Sequence, residues 1–206
     1  MTEQIDVRIS KSKSELKKAF LKLLQENAFD RISVMQICKE ANITRGTFYK
    51  YYEDKYELLY AVILDIRKLI SSKYHEMIDS KRAEQDPDGC LAELAELMIN
   101  LCAENKAILL NLYADQDNAM VEYILKAAVD KFVTHVIELY SLKANLKYPS
   151  NLISAVFVGG TANLVFEWLK NEENYSKQMI IDLIMDALSI VCAKEAIFVD
   201  KEAINN

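Results

Sequence analysis

Between Thr44 and Tyr52 the chain reads Thr44-Arg45-Gly46-Thr47-Phe48-Tyr49-Lys50-Tyr51-Tyr52. Two threonine hydroxyls, three phenols, a guanidinium and an ammonium therefore fall within one short stretch. Hydroxyl and phenol groups suit phosphate oxygens, while Arg and Lys can reach guanine edges in the major groove. Gly46 carries no side chain, so another backbone can come close to it. Thr44 is a natural N-cap, and a helix starting there would add its dipole and free N–H groups toward an anion. The chemistry this stretch can do is recognition of double-stranded DNA. The plain alternative is an aromatic surface helix without a ligand.

Groups of this kind work only if other elements hold them. Leu16, Ala19, Phe20, Leu23 and Leu24 recur at helical spacing, which predicts an amphipathic helix over 11–28. Ser33 stands three residues before Gln36, a capping-box signature for a short helix over 34–41. Asn42 tolerates the left-handed conformation of a tight turn, and a third helix is expected over 45–51. Helix, short helix, turn, short helix is the order of a helix-turn-helix unit. Ile37, Ala41, Ile43 and Phe48 would join Leu16, Phe20 and Leu24 in its core, leaving Arg45, Thr47, Tyr49, Lys50 and Tyr51 outward. A long helix is expected over 55–80. Asp86-Pro87-Asp88 marks a fresh start, with Pro87 at a first helical position. Further helices are expected over 88–103, 106–114, 118–143, 150–171 and 176–195, which makes nine.

Composition agrees with that pattern. Only 4 Gly and 2 Pro occur in 206 residues, too few for the turns of sandwiches, barrels or doubly wound sheets. The fold class expected is all-α. Net charge is −6, which taken whole speaks against nucleic acid, yet it is unevenly placed. Residues 1–55 hold 11 basic and 8 acidic side chains, a net +3, whereas 56–206 hold 14 and 23, a net −9. A basic head on an acidic body can bind a polyanion locally. Cys38, Cys90, Cys102 and Cys192 lack CxxC spacing and read as small buried hydrophobes. His75 and His135 have no Cys or carboxylate partner at metal spacing, so no metal and no cofactor are expected. No nucleophile–base pair or phosphate-cradling glycine loop points to an enzyme. Met1–Ser10 is polar, and the most apolar stretch, 152–169, is interrupted by Gly159-Gly160, Asn163 and Glu167. The expectation is a cytoplasmic protein with no membrane partner.

From Phe29-Asp30-Arg31-Ile32-Ser33-Val34 through Ile37–Tyr49 to Tyr52-Glu53-Asp54-Lys55-Tyr56-Glu57-Leu58-Leu59, about 50 residues, the sequence resembles the DNA-binding domain of TetR-family transcriptional regulators. The resemblance implies an N-terminal helix-turn-helix domain over 1–55 and a larger helical domain over 56–200. It further implies a homodimer on a near-palindromic operator, with a small-molecule effector in the C-terminal domain changing the spacing of the two heads. Carried over by position, Ser33 would touch phosphate at the start of the second helix. Thr44, Arg45, Gly46 and Thr47 match the start of the recognition helix, and Tyr49 a phosphate-binding tyrosine. Lys50 and Tyr51 match the outward positions that follow, and Lys55 a lysine that meets backbone phosphate. Asn42 stands where the family commonly has Gly, Cys38 where Ala is common, and Tyr51-Tyr52 where His-Phe is frequent. Repression is the family's usual mode.

The C-terminal region is less specific. Residues 150–170 are apolar nearly all round, so this helix must meet its own core and something else. Ile180, Leu183, Ile184, Ala187, Leu188 and Val191 give the final helix a stripe. In the family this pair of helices forms an intermolecular four-helix bundle. Phe157, Gly160, Leu164, Trp168, Ile184 and Leu188 are therefore expected at a dimer interface, the alternative being a monomeric core with a Gly-Gly kink. Gly159-Gly160 followed by Trp168-Leu169 is similar to regulators of dihydroxyacetone-kinase operons, some of which act with a partner regulator. A helical co-regulator working through such a partner is thus a second reading. Tyr74, Met77, Met98, Cys102, Tyr113, Phe132, Phe157 and Phe166 lie on the helices that enclose the family's pocket, but Met and aromatics at helical spacing usually just pack. They leave the effector unidentified.

Overall fold

The computed structural model describes residues 2–114, 118–143 and 145–192. Among them there is no β-strand, and there are ten α-helices and one 3₁₀ turn. The helices are α1 (Thr2–Glu26), α2 (Val34–Glu40), α3 (Arg45–Tyr49), α4 (Lys55–Asp79), α5 (Arg82–Gln85), α6 (Pro87–Glu104), α7 (Lys106–Leu112), α8 (Ala119–Lys143), α9 (Ser150–Lys170) and α10 (Lys177–Cys192), with the 3₁₀ turn at Phe29–Arg31. Three differences from the expected nine helices have local causes. No Gly or Pro interrupts residues 2–10, so α1 begins well before residue 11. Lys81 adopts a left-handed φ of 59°, which separates α4 from the four-residue α5 inside the expected loop. The third helix stops at Tyr49 rather than 51. Residues 193–195 of the expected final helix lie outside the described residues.

The chain divides into two compact units, 1–68 with 101–128, and 69–100 with 129–206. Residues 101–128 join the first of these, so that unit reaches beyond the expected 1–55. Ile108, Leu112, Val121, Ile124 and Leu125 share one core with Leu16, Phe20, Leu24, Ile37 and Phe48. Polar contacts reinforce it. Asn111 Nδ2 donates to the Leu24 carbonyl at 2.8 Å, near the C-terminal end of α1. Asn118 Oδ1 caps α8 by accepting the Val121 N–H. Its amide nitrogen meanwhile donates to Asp30 Oδ1 at 3.0 Å and Tyr56 Oη at 3.2 Å. The core itself is aromatic, since Phe20 and Phe29 meet edge to face and Phe29 in turn meets Tyr56. Burying each such Phe is worth roughly 1.5–3 kcal/mol.

In the second unit α9 and α10 pack together, and Trp168 Nε1 donates to the Tyr175 carbonyl across the turn joining them. The inward stripe of α9 is Ile153, Phe157, Thr161, Val165, Trp168 and Leu169. By length and composition α9 is apolar enough to cross a membrane. Asn163, Glu167 and the glycine pair are too few to prevent that, contrary to the sequence expectation. The outer stripe is apolar as well, with Leu152 and Val156 exposed. Pro87 does start α6, and Asp86 Oδ1 accepts the Gly89 N–H there. A second polar knot lies around His135, which is buried. Its Nδ1 donates to Glu138 Oε2 and its Nε2 accepts from Ser71 Oγ, both at 3.1 Å, while Tyr74 stacks on the ring at 3.9 Å. His135 thus has a carboxylate partner three residues on, contrary to the expectation of none, and the i, i+3 spacing on the expected helix could have shown it. No cluster of three or more potential metal-ligating residues occurs among the described residues.

Candidate nucleic-acid interface

The head is assembled by caps that the local sequence encodes. Ser33 Oγ accepts the Gln36 N–H, and Gln36 Oε1 accepts from the Ser33 N–H at 2.8 Å, completing the capping box that starts α2. Asn42 closes the turn at φ 52°, in the left-handed region where Asn substitutes for Gly. Thr44 Oγ1 then accepts the Thr47 N–H at 3.2 Å and caps α3. The two threonine hydroxyls are 2.9 Å apart. Phe48, fully buried, points into the core and turns the rest of α3 outward.

Arg45, Gly46, Tyr49 and Lys50 are exposed along that outward face, and Thr47 is half-buried. A Cβ at Gly46 would meet nothing closer than Thr44 Oγ1 at 4.0 Å, so internal packing does not require glycine there. Arg45 lies 5.8 Å from the centre of the Tyr49 ring, and hydrogen bonding to the Tyr49 hydroxyl raises its already high pKa. The guanidinium and the phenol are therefore presented together. Ser33 and Thr44 are exposed as well, each with its hydroxyl already engaged as a cap.

Three side chains near this face are held differently. Tyr52 is not part of the exposed aromatic cluster, because it is buried beside Phe48 with ring centres 5.8 Å apart. Its hydroxyl has no hydrogen-bond partner among the described residues, and burial raises its pKa, helped by Asp65 and Glu57. Tyr51 is half-buried, with Lys13 Nζ 5.6 Å from its ring centre. Lys55 departs furthest from the role its position implied. Its ammonium donates to the carbonyls of Phe29 at 2.9 Å, Ile32 at 3.0 Å and Asp30 at 3.3 Å, and sits 4.3 Å from the Phe29 ring centre. An ammonium has three protons, and all three are engaged. Burial holds its pKa below the usual lysine value, against the opposing pull of Asp30 and Asp54. Lys55 pins the turn that precedes α2, its three protons directed at carbonyls.

The residues expected at a dimer interface differ in burial. Phe157, Trp168, Ile184 and Leu188 are buried within their own chain, Leu164 is half-buried, and only Gly160 is exposed. The faces left open are Leu152 and Val156 with Gly159 and Gly160 on α9, and Met179, Leu183 and Ile190 on α10. Both stripes of each helix are apolar, so periodicity could not say which one the chain covers itself. Of the pocket-region residues, Met77, Phe132 and Phe157 are core. Tyr74 is pushed up to about 12 by burial and its hydrogen bond to Glu138, and Cys102 to about 12 by burial. Cys38 and Cys90 are buried free thiols.

A capped recognition helix carrying exposed Arg, Lys and Tyr on a three-helix head, followed by a larger helical body, defines a helix-turn-helix DNA-binding regulator. Residues 17–62 match the family model described as bacterial regulatory proteins, tetR family, and residues 91–189 match one described as a transcriptional regulator C-terminal region. The chain belongs to the TetR family of transcriptional regulators. It is 29% identical over 161 residues to the uncharacterized HTH-type transcriptional regulator YxbF of Bacillus subtilis, covering 76% of this chain and 40% of that protein. The chain thus spans well under half the length of that relative. Over 42 residues it is 50% identical to the dhaKLM operon transcriptional activator DhaS of Lactococcus lactis, covering 20% of this chain and 22% of the activator. Among solved structures, a TetR-family transcriptional regulator from Syntrophomonas wolfei shares the fold with a TM-score of 0.69 at 20% identity, over 88% of this chain and 94% of that one. The Thermus thermophilus repressor FadR, in complex with lauroyl-CoA, gives 0.64 at 15% identity, over 85% and 92%.

Proposed function

We propose that the protein is a homodimeric repressor that binds a near-palindromic operator and is released or retained by a small molecule held in its C-terminal region. The observation that carries the reading is the outward face of α3, where Arg45, Tyr49 and Lys50 are exposed on a helix whose N-terminus is capped and open. Arg45 would read a base edge, and Tyr49, Lys50, Thr47 and the Gly46 backbone would meet phosphates. Binding to DNA in the cytoplasm, rather than catalysis, is its activity. Dimerisation is supported by the exposed stripes. Leu152 and Val156 on α9 are one helical turn apart, as are Met179 and Leu183 on α10, with Ile190 two turns further on. Exposed apolar rows of this kind mark an interaction surface, and the open space above Gly159 and Gly160 admits another backbone. That a relative of this fold carries lauroyl-CoA supports an apolar, acyl-type effector.

Genomic fragments selected by the purified full chain test the reading. Arg45→Ala is expected to change which sequences are retained, while Tyr49→Phe weakens binding to all of them alike. Sedimentation should give a species of twice 23.6 kDa that Val156→Glu dissociates. Fragments retained by both Arg45→Ala and Tyr49→Phe as they are by wild type would refute the recognition-helix assignment, and a monomer at micromolar concentration would refute the dimer.

A further inference from the structure

The lysines of α1 divide into those paired with a carboxylate and those without one among the described residues. Lys17 pairs with Asp65 and also donates to the Ala61 carbonyl. Lys18 pairs with Glu15, and Lys22 with Glu40. Lys11 and Lys13 are exposed and have no carboxylate partner among the described residues. Lys13 is the one that fold topology carries to the DNA-reading surface, since its ammonium lies over the ring of Tyr51, immediately after Lys50. An aromatic face orients a cation without cancelling its charge. Arg45 and Lys50 are the neighbouring cations on α3 and its cap, also exposed and without a carboxylate partner among the described residues.

We propose that Lys13 of α1 is a DNA-contacting residue lying outside the helix-turn-helix, its ammonium placed by Tyr51 against a backbone phosphate that flanks the recognition helix. The inference rests on the DNA-binding reading and deepens it. The contact is to phosphate and not to a base because a lysine ammonium is a point charge without the fork that reads an edge, and because α1 is not the helix that enters the groove. Lys13 takes over the phosphate role that position alone had implied for Lys55, whose protons are all engaged by carbonyls.

Counterion release gives the test, because each phosphate contact adds about 0.9 to the slope of log affinity against log salt. Binding of full-chain wild type, Lys13→Ala, Lys13→Arg and Lys18→Ala to one wild-type-selected fragment is measured across a tenfold range of salt. Over that range Lys13→Ala should lose about eightfold less affinity than wild type, the equivalent of one contact. Lys13→Arg and the already paired Lys18→Ala should keep the wild-type slope, and base preference should be the same in all four. A Lys13→Ala slope equal to wild type would overturn the inference while leaving the DNA-binding reading intact. Wild type with no salt-dependent binding to any fragment would overturn both.

Discussion

Replacing Lys55 by Met separates a pin inside the head from a contact to DNA. Methionine keeps most of the apolar stem and removes the ammonium, leaving three carbonyls without their shared donor. The Asp30 carbonyl is exposed and regains water, so it is given no weight. The Phe29 and Ile32 carbonyls are partly buried. A hydrogen bond from a charged donor contributes about 1.5–3 kcal/mol, so two of them suggest a gross loss of about 3–6 kcal/mol. Release of the lysine's rotamers returns up to about 2 kcal/mol, and water entering beside the half-buried ammonium reduces the loss further. A net destabilisation of about 2–3 kcal/mol is expected, a large part of the roughly 5–15 kcal/mol typical of a whole protein.

Urea and thermal melts of the full chain provide the assay, followed by DNA binding well below both midpoints. At about 2–4 °C per kcal/mol for a chain of this size, the melt should fall by about 4–12 °C. In the cold, where both proteins are folded, the salt slope of DNA binding should match wild type. The reverse result, an unchanged melt with the slope reduced by about 0.9, would mean that Lys55 meets phosphate after all. It would refute the assignment of its three protons to the turn.

Two further perturbations address groups whose burial conflicts with their polarity. Tyr52→Phe removes a buried hydroxyl that has no partner among the described residues, so it should stabilise the protein by about 1–3 kcal/mol in the same melts; a lower midpoint would show that the hydroxyl is bonded. His135 concerns pH. Burial lowers its pKa below 6.5, with Lys131 and His75 adding to the effect and the Glu138 carboxylate opposing it beneath the stacked Tyr74. The unfolded chain therefore takes up the proton first as pH falls, and stability complete above about 6.5 declines from there toward the folded-state value. His135→Gln should flatten the dependence of the urea midpoint on pH across that window, and a wild-type curve already flat there would refute the burial argument.

What could be read from the sequence divides along a physical line. The capping box at Ser33 and Gln36, the left-handed turn at Asn42, the cap at Thr44 and the helix start at Pro87 depend on neighbours within three or four residues, and each is found where expected. The outward face of α3 was legible for the same reason, since Phe48 pointing inward fixes where Arg45 and Tyr49 go. Roles settled by distant partners were not. Lys13 and Lys55 carry the same charge, yet one lies open beside Tyr51 and the other is drawn under the turn at Phe29–Ile32, a difference set by packing over 20 and more residues of separation. Nothing near His135 in sequence shows that Ser71 and Tyr74 will cover it. The outer faces of α9 and α10 were not legible for a different reason. A hydrophobic period identifies the inward stripe only when the opposite stripe is polar, and on α9 Val156 and Phe157 are equally apolar neighbours, one exposed and the other buried. That ambiguity is itself informative, because a helix with one apolar stripe needs one partner surface, and α9, with two, has found only one of them among the described residues.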